Sequence, residues 1–228
     1  MTDEKPRQIQ QKLTSGSTNE KVLIKSVSYS QDEILSWIMR LYCPNGFELD
    51  PTYGRGNFYG KYVPRPKYRY DLNPQTSDTI QADCRKLPHA DNSISSIVFD
   101  PPFVAGAGTT GIIKNRFGYY KTVQGELWPM YHQALDEFYR CLKNNGVLIV
   151  KCQDTIDRSN QYLSHVEIIN YAIKLGFYPI DIFVLLSENR LPQWNIIKQQ
   201  HARKFHSYFI VFVKQKCPVH YSLDAGVS

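Results

Sequence analysis

The fold is decided by the stretch Ile97-Val98-Phe99-Asp100-Pro101-Pro102-Phe103. Its first three residues are β-branched or aromatic, which is typical of a buried strand. A carboxylate ends the strand, and two prolines then fix φ and remove two amide donors. We therefore expect a stiff loop that presents hydrogen-bond acceptors beside the ring of Phe103. This arrangement suits a planar ligand with an exocyclic amine, although Asp and Pro are also common in plain strand-ending turns.

Elements of regular structure flank this stretch on both sides. A capping box spans residues 30–33, and the apolar residues after it recur with helical spacing. Helical periods recur over residues 128–142 and 164–175. Short apolar runs predict seven strands, over residues 47–50, 68–72, 79–81, 96–100, 147–151, 180–186 and 208–213. Strands that alternate with helices predict a doubly wound α/β fold, in which helices cover both faces of a mostly parallel sheet.

Length and composition indicate the domain organisation. The chain has 228 residues, which is enough for one sizeable core. Residues 1–21 are polar and predict a disordered tail. Residues 22–216 are expected to form a single domain, followed by a C-terminal tail over residues 217–228. The net charge of +6 permits a polyanionic partner without requiring one.

Cysteine usage and hydropathy narrow the class of protein. The five cysteines are scattered without a CxxC pair, so neither a metal site nor a disulfide framework is predicted. No apolar run approaches the roughly 20 residues needed to span a bilayer. Residues 1–6 lack the apolar core of a secretory signal. We therefore expect a cytoplasmic protein that has no membrane partner.

Residues that could bind a ligand or take part in catalysis follow four of the predicted strands. Gly54 and Gly56 follow the first strand, where backbone can approach a ligand closely. Asp71 ends the second strand, where a carboxylate can bind ribose hydroxyls. Asp83 follows the third strand and Asp100 the fourth. Each has a plainer interpretation as a turn or capping residue, but ligands of open α/β sheets bind beyond the carboxyl ends of the strands, and this shared position favours one ligand site.

These segments, taken in order, resemble the S-adenosylmethionine-dependent amino-methyltransferases that modify adenine N6 or cytosine N4 in DNA. Asp100-Pro101-Pro102-Phe103 resembles their catalytic motif. The other matching segments are the glycine motif at 49–56, the acidic end of the second strand at 71–74, the cofactor-adenine motif at 82–88, and the helix–turn–strand at 141–151. The resemblance covers about residues 30 to 213.

The resemblance implies a doubly wound, Rossmann-like methyltransferase fold, whose seven-stranded, mostly parallel sheet has its last strand antiparallel. It assigns catalysis to Asp100, Pro101, Pro102 and Phe103, and S-adenosyl-L-methionine binding to Asp50, Pro51, Thr52, Tyr53, Gly54, Gly56, Asp71, Asp83 and Cys84. Two features depart from the family pattern. Thr52 stands where the glycine motif usually has phenylalanine, and residues 57–67 leave hardly any room for a crossover helix.

Two basic, aromatic segments are candidates for nucleic-acid contact. Long loops beside an active site are often binding loops, and basic residues interleaved with aromatic rings suit phosphate contact and base stacking. A merely solvated loop is the plainer alternative. The candidates are Lys114, Arg116, Tyr119, Tyr120 and Lys121 in the first segment, and Arg190, Trp194, Lys198, Arg203 and Lys204 in the second.

The leading interpretation is methylation of adenine N6 in DNA. The alternatives are cytosine N4 in DNA, a base amine in RNA, and a non-catalytic nucleic-acid-binding subunit. A dinucleotide oxidoreductase is disfavoured because no long helix is predicted after Gly56. No room remains for a large recognition domain, so sequence preference would come from the two loops or from a partner protein.

Overall fold

The computed structural model describes residues 23–103, 120–188 and 200–215. The predicted tails at 1–21 and 217–228 lie outside these ranges. Over the described ranges, no helix combines the length and the apolar content that crossing a bilayer requires.

An eight-stranded sheet forms the centre of the molecule. Its strands are β1 (Val27–Ser28), β2 (Leu49–Asp50), β3 (Tyr68–Asp71), β4 (Ile80–Gln81), β5 (Ile94–Phe99), β6 (Leu142–Cys152), β9 (Phe177–Leu186) and β10 (His206–Lys214). The remaining two strands, β7 (Thr155–Asp157) and β8 (Asn160–Tyr162), form a separate hairpin.

The strand order confirms the predicted fold class. Across the sheet the order is β4-β3-β2-β5-β6-β10-β9-β1. Neighbouring strands are parallel except around β10, which runs antiparallel to both β6 and β9. All seven predicted strands are present, and the last one is antiparallel as expected. The eighth, β1, was not predicted, because the serines on either side of Val27 leave no apolar run there.

Three α-helices pack on the sheet: α1 (Gln31–Tyr42), α2 (Trp128–Cys141) and α3 (Ser164–Leu175). Each lies within two residues of its predicted bounds. Helix α1 begins where the capping box predicted, because the Ser30 hydroxyl accepts a hydrogen bond from the Glu33 amide at 3.3 Å. The Glu33 carboxylate accepts instead from the Ser28 hydroxyl at 2.5 Å. Helix α3 ends at Gly176, whose φ of +106° favours glycine.

Alternating residues of the central strands fill two separate cores. Ile97 and Phe99 of β5 face α2 and α3, and this core also holds Leu148 and Val150 of β6. Val98, between them in sequence, faces α1 in the other core. This alternation follows from the two-residue period of a strand, and it requires apolar residues on both faces because both are covered.

The segment between β2 and β3 contains no helix, as its length predicted. Its aromatic and branched residues take the place of a crossover helix on the α1 face. Tyr53, Phe58, Tyr59 and Val63 are all buried there. The rings of Phe58 and Tyr59 meet edge to face at 5.1 Å. Aromatic side chains bury large areas, so a short loop can cover this part of the sheet.

Lys214 is a buried cation at the amino edge of the sheet. Its ammonium donates to the carbonyls of Tyr139 at 2.6 Å and Leu142 at 2.8 Å, and to Asn92 Oδ1 at 2.8 Å. The side chain is 6% exposed, and burial lowers its pKa. The residue therefore joins the end of β10 to the carboxyl end of α2.

We expect Lys214→Met to lower the free energy of unfolding by about 2 kcal/mol, because it leaves buried carbonyls without a donor. Denaturant unfolding measures this loss. Lys143→Met, which removes an exposed lysine near the same edge, is the control and should change stability by less than about 0.5 kcal/mol. Equal stability of the two variants would contradict the conclusion that the Lys214 ammonium stabilises the fold by donating to buried carbonyls.

Candidate functional site

The predicted site residues converge on the carboxyl edge of the sheet. Strands β2, β3 and β5 end there in Asp50, Asp71 and Phe99-Asp100. Because β10 is antiparallel, it begins at this edge, with Tyr208 opposite Cys152 of β6. Topology therefore gathers residues that are far apart in sequence, and it brings residues 200–205, which precede β10, to the carboxyl edge where Asp100 lies.

Asp100 lies directly after the last residue of β5, with its carboxylate partly enclosed. Its Oδ1 atom is buried and accepts no hydrogen bond within the described residues. The ammonium of Lys151 lies 3.6 Å from that oxygen. The side chain as a whole is 25% exposed, so atoms of the Asp100 side chain other than Oδ1 are the ones in contact with solvent. Burial raises the pKa of Asp100, and Lys151 acts in the opposite direction.

Lys151 is held in place by contacts on three sides. Its ammonium donates to Gln31 Oε1 at 2.9 Å. The rings of Phe58 and Phe209 lie 5.2 and 5.5 Å from it, within cation–π distance. Gln31 is fixed in turn, because its amide donates to the Phe58 carbonyl at 2.7 Å. The cation therefore has a defined position beside Asp100.

Lys151 is a site residue that the sequence motifs did not identify. A signal was present, since a lysine follows four apolar residues in a strand predicted to be buried. Long charged side chains are seldom buried unless they are paired. Its partner could not be identified from the sequence, because Gln31 lies 120 residues away.

Asp50 is a second buried carboxylate, 1% exposed. Its Oδ1 accepts from the Thr52 amide at 2.7 Å and lies 3.2 Å from the Thr52 hydroxyl, while its Oδ2 accepts from the Tyr59 hydroxyl at 2.9 Å. Burial raises the pKa of Asp50 to about 7, against these hydrogen bonds, and the nearby charge of Asp100 raises it further. Asp50 is thus enclosed, with its oxygens occupied by Thr52 and Tyr59.

Gly54 opens a space at the end of β2. It has a φ of +56°, and a Cβ built on it would meet no atom within 4 Å. Its amide donates to Asp71 Oδ2 at 2.9 Å, so the two predicted site residues are in contact. A ligand that binds against the backbone needs such an opening, so the residues present fit the cofactor that the resemblance implies.

Tyr53 and Gly56 have a different environment from Gly54. The Tyr53 side chain is 2% exposed, so only its backbone can line an open site. A Cβ on Gly56 would come within 2.5 Å of the Tyr53 hydroxyl. Gly56 is therefore required by the packing of Tyr53. Contact of either residue with a cofactor stays a prediction, as it does for the buried Pro51.

Asp83 and Cys84 lie beyond the end of β4. The Asp83 carboxylate binds Arg85, with Nε at 2.9 Å from Oδ1 and Nη2 at 2.6 Å from Oδ2. This contact holds the pKa of Asp83 below its usual range. Burial raises the pKa of Cys84 to about 12, so its thiol is neutral near pH 7. Tyr120 lies close enough to Asp83 and Cys84 to interact with them electrostatically, so it lies beside the predicted cofactor motif.

The other predicted residues are only partly described. Pro101 is buried, whereas Pro102 and Phe103 are half-buried. Lys121 is exposed, and Arg203 and Lys204 are half-buried just before β10. The remaining candidates, Lys114, Arg116, Tyr119, Arg190, Trp194 and Lys198, lie outside the described residues. Within residues 23–103, 120–188 and 200–215, no cluster of three His, Cys, Asp or Glu side chains could hold a metal ion.

Comparisons with known proteins find similarity in structure only. No protein-family model matches the chain, and no curated protein matches it. The putative DNA modification methylase of Thermus thermophilus, complexed with S-adenosyl-L-methionine, is 17% identical, with 59% of this chain and 54% of that one covered and a TM-score of 0.43. The cytosine-N4-specific PvuII DNA methyltransferase is 16% identical, with 60% of this chain and 49% of that one covered and a TM-score of 0.45.

A third similar structure has a different activity. The [4+2]-cyclase SpnF is 13% identical, with 81% of each chain covered and a TM-score of 0.49. This chain spans about half the length of the two DNA-modifying proteins it resembles. At these identities and TM-scores the likeness does not single out one reaction, so any function must be argued from the residues of this chain.

The Lys151–Asp100 contact can be tested without knowing the substrate. Lys151→Met removes the ammonium, and we expect the pKa of Asp100 to rise because burial then acts unopposed. Lys151→Arg keeps a positive charge and should leave this pKa nearer the wild-type value. NMR titration of the Asp100 carboxyl carbon measures both. An unchanged pKa in Lys151→Met would contradict the contact.

Proposed function

We propose that this chain is an S-adenosylmethionine-dependent methyltransferase that acts on the exocyclic amine of a nucleic-acid base, with adenine N6 in DNA as the leading target. The observation that carries the proposal is the Asp100 carboxylate. It is partly enclosed at the carboxyl edge, beside the Lys151 ammonium, in a rigid Asp-Pro-Pro-Phe loop. The net charge of +6 suits a polyanionic substrate.

The residues of the loop match what an exocyclic amine needs. The nitrogen of such an amine is a poor nucleophile because its lone pair is delocalised into the ring. Asp100 and the Pro101 carbonyl would accept its two N–H groups, which favours a tetrahedral nitrogen whose lone pair points outward. Asp100 would also stabilise the positive charge that develops on the nitrogen, and the half-exposed ring of Phe103 would stack on the flipped base.

The contact with Lys151 favours the charged form of Asp100, which this chemistry requires. A protonated carboxyl group would lose acceptor capacity and charge. Burial favours that neutral form, and the Lys151 ammonium opposes it. Lys151 is therefore proposed to maintain a charged acceptor in an enclosed site.

Residues at the ends of β2, β3 and β4 would hold the cofactor. We propose that the open space at Gly54 takes part of it, with Asp71 at the ribose and the Asp83–Cys84 segment at the adenine. Bound S-adenosylmethionine would supply an electrophilic methyl group: an N–C bond would form as the C–S bond breaks, sulfur would keep the electron pair, and the nitrogen would release one proton to solvent. Asp100 and the Gly54 opening, at the ends of adjacent strands, would hold the two reactants close together, which supplies much of the rate.

The proposed reaction is tested with labelled cofactor and separate pools of DNA and RNA, followed by nucleoside mass spectrometry. We expect N6-methyladenine in DNA. If the product is N4-methylcytosine, or if the label appears in RNA, methylation of a base amine is supported but adenine N6 in DNA is not the target. Label on protein alone, or no binding of S-adenosylmethionine by calorimetry, would refute the proposal.

We expect Asp100→Ala to abolish methyl transfer while the Kd for S-adenosylmethionine stays within several-fold of wild type. Asp91→Ala is the matched control, because Asp91 is an aspartate just before β5 at the opposite edge, with a side chain 70% exposed. Its activity should stay within about twofold of wild type. Normal methyl transfer by Asp100→Ala would rule out the mechanism.

Two glycine variants test the proposed cofactor opening. Gly54 and Gly46 both have positive φ, and a Cβ on either meets no atom within 4 Å. Alanine at either position should therefore cost about 1–2 kcal/mol of stability. Only Gly54→Ala should weaken S-adenosylmethionine binding, by tenfold or more in calorimetry, because its methyl group enters the proposed site. Equal affinities of the two variants would place the cofactor elsewhere.

A further inference from the structure

Thr52 lies between the two loops that the proposed reaction must hold together. One loop follows β2 and the other follows β5, and the two strands are adjacent and parallel, with Leu49 opposite Ile97. The Asp100 amide donates to Thr52 Oγ1 at 3.0 Å. The same hydroxyl lies 3.2 Å from Asp50 Oδ1. A single side chain therefore connects the end of each strand.

The direction of these hydrogen bonds follows from the chemistry of the groups. The Asp100 amide can only donate, so the Thr52 oxygen accepts from it. The hydroxyl proton is then available for Asp50 Oδ1, which accepts it when the carboxylate is ionised. Asp50 is itself fixed by the Thr52 amide and by the Tyr59 hydroxyl. The contacts thus form a chain from Tyr59 through Asp50 and Thr52 to the backbone of Asp100.

The two prolines make this contact unusually important for the loop. Pro101 and Pro102 have no amide hydrogen, so Asp100 supplies the only backbone donor in residues 100–102. Thr52 accepts that donor. The single amide hydrogen of these three residues therefore ties their loop to the loop after β2, and its acceptor is the Thr52 side chain.

We propose that Thr52 is a positioning residue, whose hydroxyl fixes the position of the loop after β5, which carries Asp100, relative to the loop after β2. The inference rests on the proposed function, in which Asp100 holds the amine and the β2 loop holds the methyl donor. Phenylalanine, the usual residue here in the proteins that the chain resembles, has no hydroxyl and cannot make either contact. The threonine at position 52 then gives this chain a contact between the two loops that phenylalanine could not make. Small misplacements of reacting groups can cost about 10²-fold in rate.

Thr52→Val is the decisive variant, because it has nearly the same shape, keeps the backbone amide and removes the hydroxyl. We expect kcat to fall about 10- to 100-fold, while the KM for nucleic acid and the Kd for S-adenosylmethionine stay within about threefold. Thr52→Ser restores the hydroxyl and should recover most of kcat. Wild-type kcat in Thr52→Val, or a Ser variant as slow as the Val variant, would overturn the proposal.

Amide hydrogen exchange of Asp100, followed by NMR, tests the contact without any substrate or cofactor. Exchange should become at least tenfold faster in Thr52→Val and stay near wild type in Thr52→Ser. Unchanged exchange in Thr52→Val would overturn the proposal whatever the enzyme does. If wild-type protein neither binds S-adenosylmethionine nor methylates nucleic acid, the proposed function fails and the catalytic consequence of Thr52 fails with it, but the exchange result still decides whether the hydroxyl holds the loop.

Discussion

Two carboxylates, the buried Asp50 and the partly enclosed Asp100, lie at the ends of adjacent parallel strands, and the surrounding structure offsets part of the cost of their charge. Burying an ionised group is costly unless it is paired or hydrogen-bonded. Asp50 receives hydrogen bonds from Thr52 and Tyr59, whereas Asp100 has the Lys151 ammonium at 3.6 Å. Different compensation suits different functions: a carboxylate whose oxygens are occupied holds the structure, and one paired with a cation at a distance can still accept a ligand.

The short connection between β2 and β3 makes this compensation possible. A crossover helix would place its own apolar side chains over the sheet, but here a loop delivers Phe58 and Tyr59 to the same face. Tyr59 donates to Asp50, and the Phe58 ring and carbonyl contact Lys151 and Gln31 respectively. The loop therefore packs the core and supports both carboxylates at once.

The two edges of the sheet serve different purposes. At the amino edge, the buried ammonium of Lys214 donates to carbonyls of α2 and β6 and to Asn92. At the carboxyl edge, Asp100 Oδ1 stays without a hydrogen bond in the described part of the chain. Native proteins rarely leave a buried polar atom unsatisfied, and the Lys151 ammonium at 3.6 Å is the charge that faces this one.

Local patterns in the sequence determined the elements of this fold and the position of Asp100. The Ser30 cap, the helical periods of α2 and α3, the turn at Gly176 and the apolar strands are properties of a few neighbouring residues, so they are readable without a structure. The β7–β8 hairpin was missed because its turn residues, Arg158 and Ser159, take positive φ without a glycine to signal it.

Only the tertiary structure decided which residues support Asp100. Its amide is bound by Thr52, 48 residues away, and its cation Lys151 is held by Gln31 at a separation of 120 residues. Such contacts depend on the order of strands across the sheet and on which loop covers which face. Periodicity reports only whether a residue faces inward, because it reflects the geometry of one element and carries no information about its neighbour.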